Sequence, residues 1–497
     1  MLAALPGWGA FACQAILALA ALAALAASNA RVRLTAALFG VVAVALALGA
    51  AADALTPAGN RVVRVAPGAA VWVLLTCLGL LATDAITRLS PGPASRVLFL
   101  ALFIGVAGLA LALPRLPRLD PLGALLTALG AAALVLLPFV VLKPNRILPG
   151  EPVAMLAALP GWGAFACQAI LALAALAALA ASNARVRLTA ALFGVVAVAL
   201  ALGAAADALT PAGNRVVRVA PGAAVWVLLT CLGLLATDAI TRLSPGPASR
   251  VLFLALFIGV AGLALAHGTF DNLSVMREYT VNADRFAREA RQHVWLAFGS
   301  LTAAFIVALP LGILCHRAPR LRAPVLGVLN VIQTIPAIAL FGILMAPLAS
   351  LAAAVPLAAA LGIRGVGAAP AAVALFLYSL LPIAANTVAG LKRVPRAVVE
   401  AARGMGLTEW QVLGAIELVL ALPVILTGVR IVLVQNIGMV TVAALIGGGG
   451  LGTFVFQGIG QTAIDLVLLG AIPVVALAFS AAVVLDALIE IRDRART

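Results

Sequence analysis

The segment Glu400-Ala401-Ala402-Arg403-Gly404-Met405-Gly406, continuing through Ile416 and Leu418 to Pro423, is the most informative stretch of the chain. Its residue types suit mechanical work rather than bond making. Ala401 and Ala402 favour helix, Gly406 permits a tight backbone turn, and Thr408 can cap a second helix beginning near Glu409. This describes two short helices joined by a turn, with Glu400 as the polar contact they offer and Arg403 beside it. An ordinary basic loop closed by a glycine C-cap has the same residues. No Gly-rich phosphate loop of the GxxxxGK[ST] type occurs, so any ATP would be hydrolysed by another chain, and no catalytic residue is expected. Cys13, Cys77, Cys167, Cys231 and Cys315 have neither CxxC nor Cys/His spacing and read as small buried hydrophobes, and the three histidines are too scattered for a metal site.

Other candidates are polar or conformationally special residues inside apolar runs. Pro336 interrupts one run and frees carbonyls there, with Asn330, Gln333 and Thr334 supplying polar groups. They line a pathway or mark a kink satisfied by neighbouring helices. Asn386, Gln435 and Asn436 line the same route or hydrogen-bond between helices. Gly447, Gly448, Gly449 and Gly450 form part of a gate or a flexible turn. Asp238 lies one helical turn before Arg242, which reads as a local ion pair, and Asp465 as a helix-end charge.

The elements that position these residues follow from composition. Of 497 residues 65% are hydrophobic and 10% charged, with a mean hydropathy of +1.20. No water-soluble core hides that much apolar surface, whereas a bilayer accepts it as helices that satisfy their own backbone. The expected fold class is therefore all-α, a polytopic transmembrane helical bundle in contact with membrane lipid. The net charge of +15 sits in short clusters between apolar runs, Arg31/Arg33, Arg317/Arg320/Arg322, Lys392/Arg393/Arg396 and Arg492/Arg494/Arg496. That is positive-inside topology rather than nucleic-acid binding.

Residues 1–112 are identical to residues 155–266. Structural repeats diverge while keeping a pattern, so identity on this scale indicates a recent duplication or an artefact of the sequence. Each copy holds four candidate spans, in the second near 162–181, 188–206, 220–241 and 250–266, and one more lies between the copies at 121–142. Five spans separate equivalent points, which places the copies in opposite orientations although their loop charges are the same. The ordinary protein is expected from about 113 onward, as an N-terminal bundle over 113–266, a polar extracytoplasmic connector over 267–293 and a C-terminal domain over 294–497. Spans near 294–315, 324–347, 367–390, 421–445 and 463–489 put the basic loops on one face, the cytoplasmic one; Arg215 and Arg218 violate the rule.

Glu400, Ala401, Ala402, Gly406, Ile416 and Leu418 match in register the EAA loop of ABC importer permeases: Glu-Ala-Ala, three residues, Gly, nine residues, Ile-x-Leu-Pro. Val419 stands where the family has proline, and Pro423 follows four residues later. The segments Leu329-Asn330-Val331-Ile332-Gln333-Thr334-Ile335-Pro336 and Ala444 to Gly452 resemble those of osmoprotectant permeases, which import glycine betaine, choline and related quaternary amines. The connector from Asp271 to Tyr279 is similar to a longer branch of that group, and the resemblance covers about 114–497.

The resemblance implies a type I (MetI-like) permease core preceded by additional spans, in a bacterial inner membrane. Glu400, Ala401, Ala402, Arg403 and Gly406 would couple it to a separate ABC ATPase subunit, which binds the ATP, so that this chain holds no cofactor. One EAA segment implies a second permease subunit, the same chain or another. With two tyrosines, Tyr279 and Tyr378, no aromatic cage for a quaternary amine is evident, so an extracytoplasmic solute-binding protein would select the solute. The alternatives are an ABC permease for amino acids or another organic solute, an ion-gradient transporter using Asp238 and Asp465, and a non-transporting scaffold.

Overall fold

The computed structural model describes residues 120–494 apart from 146–149, 160–161, 181–182, 212, 214–215 and 361. The first copy of the repeat, with Arg31, Arg33, Cys13 and Cys77, lies outside the described residues, as do Arg215 and Arg496. In chain order the first elements are α1 (Pro121–Leu136), β1 (Val140–Lys143), β2 (Glu151–Val153), α2 (Met155–Ala158), α3 (Trp162–Ala180), α4 (Ala184–Leu209), β3 (Arg218–Pro221), α5 (Ala223–Leu243) and α6 (Pro247–Ala266). There follow α7 (Ser274–Arg317), α8 (Pro319–Thr334), α9 (Ala337–Ala354), α10 (Pro356–Ala360), α11 (Ala368–Lys392), α12 (Arg396–Gly404) and α13 (Glu409–Gln411). The last are α14 (Leu418–Ala443), α15 (Gly452–Gly460) and α16 (Ile464–Arg494). Among the described residues eight helical stretches are long and apolar enough to cross a membrane, and α1 and α3 contain shorter apolar helices.

The chain divides into two compact units, of which the first comprises, among the described residues, 120–140, 153–201 and 222–243. Here α1, α3 and α5 pack around Leu126, Ala178, Cys231 and Leu235. Arg187, 1% exposed, pairs with Asp120 and lies 3.1 Å from Asp238. Arg242 closes the cluster, 2.6 Å from Asp120 and 2.9 Å from Asp238. The expected Asp238–Arg242 pair is thus half of a set of two acids and two bases built around the buried Arg187, with Arg242 at its exposed edge. Such a set is tolerated in an apolar setting because it is internally neutral.

The second unit comprises 141–152, 202–221 and 244–494, so that α6, expected in the N-terminal bundle, belongs with the C-terminal helices, where Arg250 meets Glu490 at 3.2 Å. A small sheet of order β2-β1-β3 is added to the helical bundle, and its first strand shortens the span expected over 121–142. Leu137, before Pro138, takes extended angles (φ −108°, ψ 148°) and ends α1; the β-branched pair Val140 and Val141 then begins a strand. The connector expected over 267–293 is helical from Ser274 and continuous with the next span, with a kink at Asn282 whose side-chain amide donates to the Glu278 carbonyl at 2.9 Å. Arg218, which breaks the positive-inside pattern, pairs with the buried Glu278 and so is neutralised where it stands. Asp465 is 2% exposed, 3.1 Å from Lys143 Nζ, and accepts from Ser274 Oγ at 2.7 Å.

The span expected over 324–347 is two helices, α8 and α9, parted at Ile335 and Pro336, and α9 runs on to Ala354. At the centre α7, α11 and α14 cross on small residues. A Cβ added to Gly312 would stand 2.6 Å from Thr387, one on Gly390 2.9 Å from the Ala421 carbonyl, and one on Gly428 2.8 Å from Asn386. In lipid, where apolar surface alone does not drive association, such close backbone approach is the main source of helix packing energy.

Candidate coupling loop and pathway

The coupling candidate is a helix–turn–helix that runs into a membrane span. At the end of α12, Gly406 adopts φ +84°, its N–H donates to the Arg403 carbonyl at 2.9 Å, and the Leu407 N–H donates to the Ala402 carbonyl at 3.2 Å. This is a Schellman closure, and its left-handed residue is where glycine is favoured. Thr408 and Gln411 form a capping box that starts α13, the Thr408 N–H donating to Gln411 Oε1 at 2.8 Å. A π-helical turn, Val412–Glu417, joins α13 to α14 without a break. Val419, where the family pattern has proline, sits inside the first turn of α14.

Glu400 is exposed on α12, Ala401 is exposed beside it, and Ala402 is buried beneath them. Arg403 is not a free partner for Glu400's surroundings: it lies 2.8 Å from Glu409. That hydrogen bond raises the Arg403 guanidinium above its ordinary value and lowers the Glu409 carboxyl below its own. Arg317, at the end of α7, joins them, 2.9 Å from Glu409 and 2.8 Å from the buried Glu417. The contacts of Arg317 with Glu409 and Glu417 escape sequence reading because 92 and 100 residues separate the partners. Met405 and Trp410 are 73% and 81% exposed, an apolar rim that a tryptophan in a charged loop could have signalled.

The pathway candidates separate. Asn330, Thr334 and Pro336 are exposed on α8 and its end, with Thr334 Oγ1 donating to the Val331 carbonyl at 2.7 Å. Gln333 donates to the Tyr378 carbonyl at 2.7 Å, and Tyr378 donates to the Ile335 carbonyl, so a carbonyl freed at the break is taken by a neighbouring helix. Asn386 donates to the Pro382 carbonyl of its own helix at 2.8 Å, and Gln435 turns to Met439. Asn436 is fully buried, its amide 3.0 Å from both Ser300 Oγ and Ser379 Oγ. It bonds α7, α11 and α14 to one another instead of facing a route. Arg430 and Asp486, a pair inside α14 and α16 that the spacing gave no reason to link, are 41% and 35% exposed.

The glycine run is a hydrogen-bonded loop with a defined backbone. Gly447, Gly449 and Gly450 take φ of +75°, +73° and +84°, and Gly448 and Gly450 are buried. The Gly367 N–H donates to the Ile446 carbonyl at 3.0 Å, and Glu289 and His293 of α7 accept from Gly450 and Leu451.

Residues 308–496 match the family described as binding-protein-dependent transport system inner membrane component. Residues 1–119 and 120–276 each match the N-terminal domain of ABC transporter permease YehY. The chain is 44% identical over 197 residues to the osmoprotectant import permease protein OsmW of Salmonella typhimurium, covering 40% of this chain and 86% of that one. It is 36% identical over 205 residues to the carnitine transport permease protein OpuCB of Listeria monocytogenes, covering 41% and 87%. It is 34% identical over 213 residues to the glycine betaine/carnitine/choline transport system permease protein OpuCB of Bacillus subtilis, covering 43% and 89%. The solved methionine ABC transporter MetNI aligns at 22% identity over 43% of this chain and 96% of that one, with a TM-score of 0.37. The chain is a multi-pass inner-membrane protein and belongs to the ABC importer permeases of the osmoprotectant uptake family.

Proposed function

We propose that this permease imports a small quaternary-amine osmoprotectant, of the glycine betaine, choline or carnitine kind, driven by ATP that a separate ATPase subunit hydrolyses. The observation that carries the coupling half of this reading is the 396–411 element. It stands exposed, is closed by Gly406, and passes unbroken into α14. A rigid knob of this form seated in a groove of the ATPase moves as a body with it. Glu400, Ala401, Ala402, Arg403 and Gly406 are assigned to it, with Met405 and Trp410 as apolar contacts. Asn330, Gln333, Thr334, Pro336, Asn386 and Gln435 are assigned to the pathway, with Gly447 to Gly450 as its outer gate. The chain itself needs no cofactor. A second permease subunit completes the route, and an extracytoplasmic binding protein selects the solute. Residues 1–112 are assigned no part in transport.

Uptake into proteoliposomes holding the permease, its ATPase and its binding protein tests the reading. Labelled glycine betaine or choline should enter only with ATP, and Glu400→Ala should lower the rate about tenfold or more. ATP-independent uptake, or competition by amino acids but not by quaternary amines, would contradict it.

A further inference from the structure

The coupling loop and the glycine loop, which α14 joins along the chain, are also fastened to the two ends of a second helix, α7. Toward its outer end, α7 holds the glycine loop. Glu289 Oε2 accepts the Gly450 N–H at 2.7 Å and the Thr453 hydroxyl at 3.3 Å, and His293 Nδ1 accepts the Leu451 N–H at 3.3 Å. These groups lead into α15, whose first N–H groups have no partner in their own helix and form the positive end of its dipole. A carboxylate there is both acceptor and counter-charge. His293 Nε2 lies 3.0 Å from the Ile437 carbonyl, which can only accept; the proton is therefore on Nε2, and Nδ1 is free to accept from Leu451. The fit has little slack. A Cβ on Gly450 would stand 3.1 Å from His293 Nδ1 and 3.0 Å from Val440, and one on Gly452 would meet the Thr441 carbonyl oxygen at 2.0 Å.

At its inner end α7 stops at Arg317, which holds Glu409 at the start of α13 and the buried Glu417 at the base of α14. Asn282, the non-helical residue inside α7, lies beyond Glu289; between the two attachments the backbone keeps helical angles, although Pro310 removes one of its hydrogen bonds. Glu289 and Arg317 are therefore about 42 Å apart at the rise of an α-helix, more than the ~30 Å hydrocarbon core.

We propose that α7 is a strut tying the coupling loop to the glycine loop, with Arg317 as its inner anchor and Glu289 and His293 as positioning residues for the outer gate. The proposal rests on the assignment of 400–406 to coupling and of 447–450 to the gate. A displacement of the coupling loop moves Arg317, and α7 carries it as a rigid body to the start of α15.

Hydrogen exchange on the assembled transporter, with its ATPase and binding protein in nanodiscs, reads the loop directly. Glu289→Ala should raise exchange across 447–454 about tenfold or more, whereas Glu289→Gln, which keeps an accepting oxygen, should stay within about threefold of wild type. Arg317→Ala should raise exchange across 447–454 about threefold although it stands at the far end of the helix. Both alanine variants should consume more ATP per solute imported. Equal exchange in the alanine and glutamine variants, or wild-type exchange across 447–454 in Arg317→Ala, overturns the strut. Should Glu289→Ala fail to assemble, the Arg317→Ala comparison decides alone. Normal import by Glu400→Ala would sink the coupling assignment, yet the exchange comparison would still report whether the two ends of α7 are linked.

Discussion

Asn436 bonds two serines whose hydroxyls are already satisfied within their own helices. Ser300 Oγ donates to the Leu296 carbonyl and Ser379 Oγ to the Leu375 carbonyl, each at 2.6 Å. Removing the amide therefore orphans no donor, and the loss is limited to the interhelical bonds themselves, about 1–2 kcal/mol. Asn436→Leu should lower the unfolding midpoint in detergent by a few degrees and leave the KM for solute unchanged; a raised KM would return Asn436 to the pathway. Arg187 is the opposite case. It is buried between two carboxylates, and Arg187→Ala would leave Asp120 and Asp238 with Arg242 alone. The cost should be about 3 kcal/mol or more, read as loss of thermal stability of the purified protein. Residue types alone separated neither case, because burial and partners are set by helices that meet far apart in sequence.

At the scale of elements, the coupling loop was largely legible. Its two helices, the glycine turn and the Thr408 cap stand where residue chemistry requires them, because each is a local preference. The π-helical turn was not legible. An extra residue in a helical turn is stabilised by what the shifted side chains reach, and here Glu417 reaches Arg317 across the fold. The small sheet escaped for a similar reason: an apolar run ending in two valines reads as span until Pro138 and the strand partners are known. The loop also supplies its own control. Gly404 has open space where a Cβ would lie and is the last residue of α12. Gly404→Ala should leave uptake at the wild-type rate and, if anything, stabilise the helix by up to ~1 kcal/mol. A large loss of uptake there would mean that the loop needs flexibility rather than a defined turn.

For the molecule as a whole, the segment between the copies, the second copy and the C-terminal helices make up the fold described. The cluster around the buried Arg187 includes Asp120, which precedes the second copy and lies outside the repeated 112 residues, so the repeated segment does not by itself encode the whole set. Deleting residues 1–112 should leave membrane insertion and ATP-driven uptake intact, and loss of either would make the first copy part of the working protein. The central claim, that residues 396–411 transmit ATP hydrolysis to the permease as a fixed turn, is tested most directly at Gly406. Its φ of +84° costs a β-branched residue most and asparagine least. ATP-driven uptake should fall about tenfold or more in Gly406→Val and remain within about threefold of wild type in Gly406→Asn. Wild-type uptake by Gly406→Val would contradict the account.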